Sequence, residues 1–141
     1  MRAVVDTNAW ASGLIIPGGT PGRILDAVRR GDLEPVASWE VARELVEVLR
    51  RPEIRRYGVT EADVDDVIAV LGPLLPDVDV EVEIHNPDDA VVVGAALAGA
   101  AEVIVSGDRD LLDDADLRSW LAARGIEVLT PAEVLARLAR T

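Results

Sequence analysis

The 141-residue chain is half apolar and carries a formal charge of −12, with no cysteine and a single histidine, His85. That length and apolar content suit one domain over residues 1–141 with a buried core of its own. The composition excludes disulfides, thiol nucleophiles and thiolate or histidine-cluster metal sites, so that any intrinsic metal must be held by oxygen; it also excludes simple coating of nucleic acid, which depends on cationic side chains neutralising phosphates.

Met1 and Arg2 lead directly into an apolar run, a pattern unlike a signal peptide, and no apolar stretch reaches the roughly 20 residues that span a bilayer. A soluble, cytoplasmic protein with no membrane contact is the expectation. Residues 2–5 read as a buried strand stopped by Asp6-Thr7-Asn8. A loop at Pro17-Gly18-Gly19-Thr20-Pro21 precedes a helix over 22–30 closed by Gly31, and a second strand over 33–37 follows. Ser38 suits the N-cap of a helix running to Arg51, where Pro52 stops it. Thr60 and Asp63 open another helix in a capping-box arrangement, ending near Gly72-Pro73.

Residues 77–84 alternate strictly, with Val78, Val80, Val82 and Ile84 opposite Asp77, Asp79, Glu81 and Glu83, which predicts a half-exposed strand or extended segment. From Ala90 to Ala101 every residue is small or apolar, so this helix should lie deep. A strand over 102–105 ends at Ser106-Gly107-Asp108. A short helix over 117–123, a strand over 126–129 and a C-terminal helix capped by Thr130 with Pro131 and Glu133 complete the chain. Strands alternating with helices imply an α/β fold, a mostly parallel sheet sandwiched between helices.

All 14 cationic side chains are arginine. None lies between Tyr57 and Ala101, a strongly acidic stretch. Pairs stand at Arg29-Arg30, Arg50-Arg51 and Arg55-Arg56, near helix ends, where they complement helix dipoles or contact phosphates.

Ligand crevices in open α/β sheets lie beyond the carboxyl ends of the strands, and Asp6 and Asp108 fall there. An isolated Asp in that position also reads as a turn or helix cap. Glu44 sits on the flank of a stripe formed by Val41, Leu45, Val48 and Leu49, whereas Glu40 and Glu47 point further out. A carboxylate edging into a core needs a partner, here an arginine or a metal ion. Asp88 and Asp89 open the apolar helix, where either suits its dipole; one is expected to cap the helix, leaving the other to face the crevice. Four carboxylates converging there repel one another unless protons or a divalent cation compensate, and Mg²⁺ or Mn²⁺ would also support phosphodiester chemistry. His85, before Asn86-Pro87, is expected in a loop outside this site.

Val4-Val5-Asp6-Thr7-Asn8, Glu44, Asn86-Pro87-Asp88-Asp89 before an Ala-rich helix, and Val105-Ser106-Gly107-Asp108-Arg109-Asp110-Leu111 together resemble the PIN-domain nucleases, in particular the small bacterial and archaeal toxin components of toxin–antitoxin pairs (VapC-type). The resemblance covers essentially the whole chain. It implies a three-layer α/β/α fold and a Mg²⁺- or Mn²⁺-dependent endoribonuclease. By similarity Asp6, Glu44, Asp89 and Asp108 are the acidic catalytic and metal-binding residues, Asp110 shares the fourth role, and Asn8, Ser106 and Asp88 support them. Asp89 is preferred to Asp88 because the family's third acid directly precedes the helix body. RNA as substrate, a small antitoxin partner and homodimerisation are further implications. Competing readings are a housekeeping RNA-processing PIN nuclease and a non-catalytic module of the same fold; a receiver-like signalling domain would require a lysine.

Overall fold

Four parallel strands, β1 (Arg2–Val5), β2 (Glu34–Pro35), β3 (Val103–Val105) and β4 (Glu127–Leu129), pair in the order β2-β1-β3-β4. The structure is a computed structural model describing residues 1–84 and 86–140; His85 and the expectation attached to it lie outside the described residues. Ala3, Val4, Val103, Ile104 and Val128 are essentially fully buried in this sheet. Burial on both faces explains why these strands read as unbroken apolar runs. The sheet is therefore wholly parallel, within a three-layer α/β/α arrangement. β2 is shorter than the 33–37 strand predicted; Glu34 and Val36 N–H donate to the Met1 and Ala3 carbonyls, each at 2.8 Å, and Pro35 between them, with no N–H to give, suits the open edge of the sheet.

Nine helices are described: α1 (Thr7–Ile15), α2 (Thr20–Arg30), α3 (Trp39–Leu49), α4 (Pro52–Arg55), α5 (Glu61–Leu71), α6 (Pro87–Ala98), α7 (Arg109–Leu112), α8 (Ala115–Ala122) and α9 (Pro131–Leu138). α3, α5, α6 and α9 follow their sequence signals closely, and both expected capping boxes, Thr60 with Asp63 and Thr130 with Glu133, are formed. α2 starts two residues early, at Thr20, and Pro52 opens α4 rather than merely ending α3. α1 is an addition, because no element was expected over residues 9–15. Its Trp10 is buried, as are Ala9, Ala11 and Gly13, so it carries apolar side chains on most faces and lacks the polar stripe that reveals a helix.

α6 lies against β1 and β3 and touches α3, while α7, α8 and α9 border β4. The 77–84 segment pairs with no strand among the described residues. It runs extended with Val80, Val82 and Ile84 half-buried and its acids exposed, so its alternation marks a strap laid over the core. The strap crosses α6 at Gly94, where a Cβ would stand 2.8 Å from the Val78 carbonyl oxygen. Just before it, the chain is tied to the start of α3: Trp39 N–H donates to the Leu75 carbonyl and Leu75 N–H to that of Ala37, both at 3.0 Å.

Candidate active site

The chain leaves β1, forms β2 on one side, and returns to build β3 on β1's other side. The carboxyl ends of β1 and β3 thus flank the point where strand order reverses, the place where open α/β sheets bind ligands. Val5 is in register with Val105, and the next residues keep the two chains together, Asp6 N–H donating to the Val105 carbonyl at 3.0 Å. Asp6 caps α1, its Oδ1 accepting the Ala9 N–H at 2.8 Å, while Oδ2 accepts the hydroxyl of the buried Ser106. The same Ser106 Oγ accepts the Asp108 N–H at 3.0 Å, and Asp108 caps α7 by accepting the Asp110 N–H. Capping and facing the crevice are therefore not alternatives for these aspartates. A carboxylate has lone pairs enough for both.

Glu44 is half-buried on the flank of α3, between the buried Val41 and Val48, whereas Glu40 and Glu47 are exposed. Its Oε1 accepts the Thr7 hydroxyl at 3.0 Å. The sequence alone does not single out Thr7; its one signal is its place in Asp6-Thr7-Asn8, whose meaning depends on α1 starting there. At α6, the expectation that one of the paired acids would cap the helix is corrected. Asn86 is the cap, accepting the Asp88 N–H at 3.0 Å, with Pro87 in the first turn. Both acids are freed from that duty: Asp88 is exposed, and Asp89 is 7 % exposed. No donor reaches the Asp89 carboxylate among the described residues.

Asp6, Asn8, Glu44, Asp88, Asp89 and Asp108 line one cleft of about 160 Å³, together with Thr7, Val48, Arg51 and Val92. Asp110 is not in its lining but in that of the adjoining cavity beyond Asp89. Burial raises the Asp6 carboxyl above its usual range, against the hydrogen bonds from Ser106 and Ala9, and the charge of Asp108 adds to the rise. Burial also raises Glu44, partly offset by Thr7 and reinforced by Asp88 and Asp6. Asp89 is pushed up to about 6, first by burial and then by Asp108, Asp110, Asp6 and Asp88. Three raised carboxyls in one place describe a cluster short of positive charge.

In the arrangement seen, no three acidic or histidine side chains among the described residues are gathered closely enough to hold an ion. The donor set fits Mg²⁺ or Mn²⁺ by charge and type, being carboxylates alone and under-compensated. The PIN domain profile matches residues 2–110, from β1 to the first turn of α7. The chain belongs to the PIN-domain family. PIN domains are in general metal-dependent nucleases acting on RNA, and every acid lining the cleft falls inside the matched region. The chain is also similar to uncharacterized protein MJ1680 of Methanocaldococcus jannaschii, with 25% identity over 134 residues, covering 93% of this chain and 86% of that protein. No solved structure matches it. Among the described residues, no helix is long and apolar enough to cross a membrane.

Proposed function

We propose that residues 1–141 form one nuclease domain, a Mg²⁺- or Mn²⁺-dependent endoribonuclease in which Asp6, Glu44, Asp89 and Asp108 hold the metal. The observation that carries this reading is the cleft at the β1/β3 switch point, which five carboxylates line and in which Asp89 is pushed up to about 6. When bound, a divalent ion supplies the means to activate water and to offset charge building on the phosphate oxygens. The chain's own residues set the geometry. Ser106 and the Ala9 N–H orient Asp6, Thr7 orients Glu44, and Asp89 projects from the first turn of α6 beside them. Asp110 acts on Asp89 through its charge from the neighbouring cavity, which suits a shared fourth role.

Incubation of single-stranded and structured RNAs with the protein and Mg²⁺ or Mn²⁺ should give internal cleavage that EDTA stops. Asp6→Asn and Asp89→Asn should each lower the rate about 100-fold or more, since each removes a charge that the ion needs. Metal-independent cutting, or full activity in both variants, would sink the mechanism. The finer reading, a VapC-type toxin held in check by a small antitoxin and acting as a homodimer, rests on the Asp-Thr-Asn and Ser-Gly-Asp-Arg-Asp segments. Its expression should arrest growth, Asp6→Asn should not, and a neighbouring gene product should relieve the arrest.

A further inference from the structure

Arg51 is the one cation lining the acidic cleft among the described residues. Its backbone is fixed between two helices: its N–H donates to the Val48 carbonyl at 3.2 Å, and its carbonyl accepts the N–H groups of Ile54 and Arg55, each at 3.0 Å. Its guanidinium, by contrast, makes no ion pair or hydrogen bond among the described residues. The preceding Arg50 binds Glu61 at 2.7 Å, and Arg55 binds the same carboxylate. Arg29 pairs with Asp26 at 3.9 Å and Arg30 with Asp32 at 3.1 Å. Acids are therefore not scarce around Arg51, since Asp6, Glu44, Asp88, Asp89 and Asp108 share its cleft; it is set in the wall without being spent on any of them.

A cleft of carboxylates repels a polyanion, and its metal would neutralise only part of that charge. An arginine at the rim offers a planar fork of donors matched to phosphate oxygens. Arg51 also borders the apolar groove on the other flank of α3, lined by Trp39, Val46, Ile68 and Leu74, so it stands at the edge of the cleft, between the two cavities. We propose that Arg51 is a substrate-binding residue, gripping a backbone phosphate of the RNA next to the bond that is cut. This rests on the nuclease reading for the identity of the polyanion.

The test uses the whole chain and a fluorescent oligoribonucleotide. Binding is followed by anisotropy on the Asp89→Asn background, and cleavage on the wild-type background. Arg51→Gln should weaken binding and raise KM about 10- to 100-fold, with kcat changed less than about threefold. It should also flatten the dependence of log affinity on log salt by about one unit, the signature of one lost phosphate contact. Arg51→Lys should restore the salt slope and part of the affinity, whereas Arg56→Gln, a nearby arginine outside the cleft, should change neither. Unaltered affinity and slope in a folded Arg51→Gln protein would overturn the proposal, as would a fall in kcat alone. If the wild type binds RNA without cutting it, the nuclease reading fails and the binding arm still decides the phosphate contact; if it binds no RNA, both fail.

Discussion

Ser106 serves two of the site's acids through one oxygen, donating to Asp6 and accepting from the backbone of Asp108 while fully buried. Ser106→Ala therefore breaks two hydrogen bonds and leaves a buried carboxylate with one fewer donor. The expected cost is about 1–3 kcal/mol of stability, read from urea unfolding. Because Asp6 would then turn more freely, kcat for RNA should fall about 10- to 100-fold with little change in KM. A variant that lost stability but kept kcat would make Ser106 a packing residue only. Asp6 and Asp108 were legible in the sequence because a strand end fixes where the next side chain goes, and Glu44 because helical spacing put it beside an apolar stripe. Thr7 is not, since its role depends on which helix meets which; Arg51 stands out in the sequence only as one member of three arginine pairs, and the packing is what separates it from Arg50 and Arg55, which pair with Glu61.

Among the elements, α6 shows how far pattern alone reaches. Its unbroken run of small and apolar residues announced a deep helix, and it lies against both central strands. Which residue caps it is not legible in the pattern, because Asn86 competes with two aspartates for the role and only the path of the preceding chain chooses among them. α1 escaped notice for the opposite reason: buried on most sides, it has no polar face to set a period. The 77–84 alternation does mark a half-exposed segment, but a two-residue period reports burial on one side, not pairing partners. The strap's closeness to Gly94 gives a test. Gly94→Ala gains helix propensity of about 1 kcal/mol, yet its Cβ would meet the Val78 carbonyl oxygen, and overpacking of that kind costs about 1–3 kcal/mol. Net destabilisation is expected in urea unfolding, together with faster proteolysis within residues 77–84. A more stable variant would show that the strap yields freely.

At the scale of the whole molecule the charge of −12 is divided between acids that are satisfied and acids that are not. Glu61, Glu127 and Glu133 are held below the usual carboxylate range, the first two by arginine partners and the third by the Thr130 cap. Their contribution is present at neutral pH and is lost as the pH falls through those lowered values. They are exposed, so it is small. Asp89 runs the other way. Raised from 3.8 to about 6, it is neutral in folded and unfolded chains below about pH 4, and the folded state loses stability as the pH climbs from there through 6. Comparing the wild type with Asp89→Asn cancels the exposed pairs. In EDTA the variant should match the wild type below pH 4 and exceed it at pH 7.5 by on the order of 1–3 kcal/mol. Saturating Mg²⁺ or Mn²⁺ should then close the gap by stabilising the wild type alone, by about 2.7 kcal/mol at a hundred times its Kd. Thermal unfolding across pH 3.5–7.5, with and without the ion, reads both effects. A variant less stable than the wild type at pH 7.5 in EDTA would mean that the Asp89 charge is already compensated by the protein, leaving the ion no repulsion to relieve there.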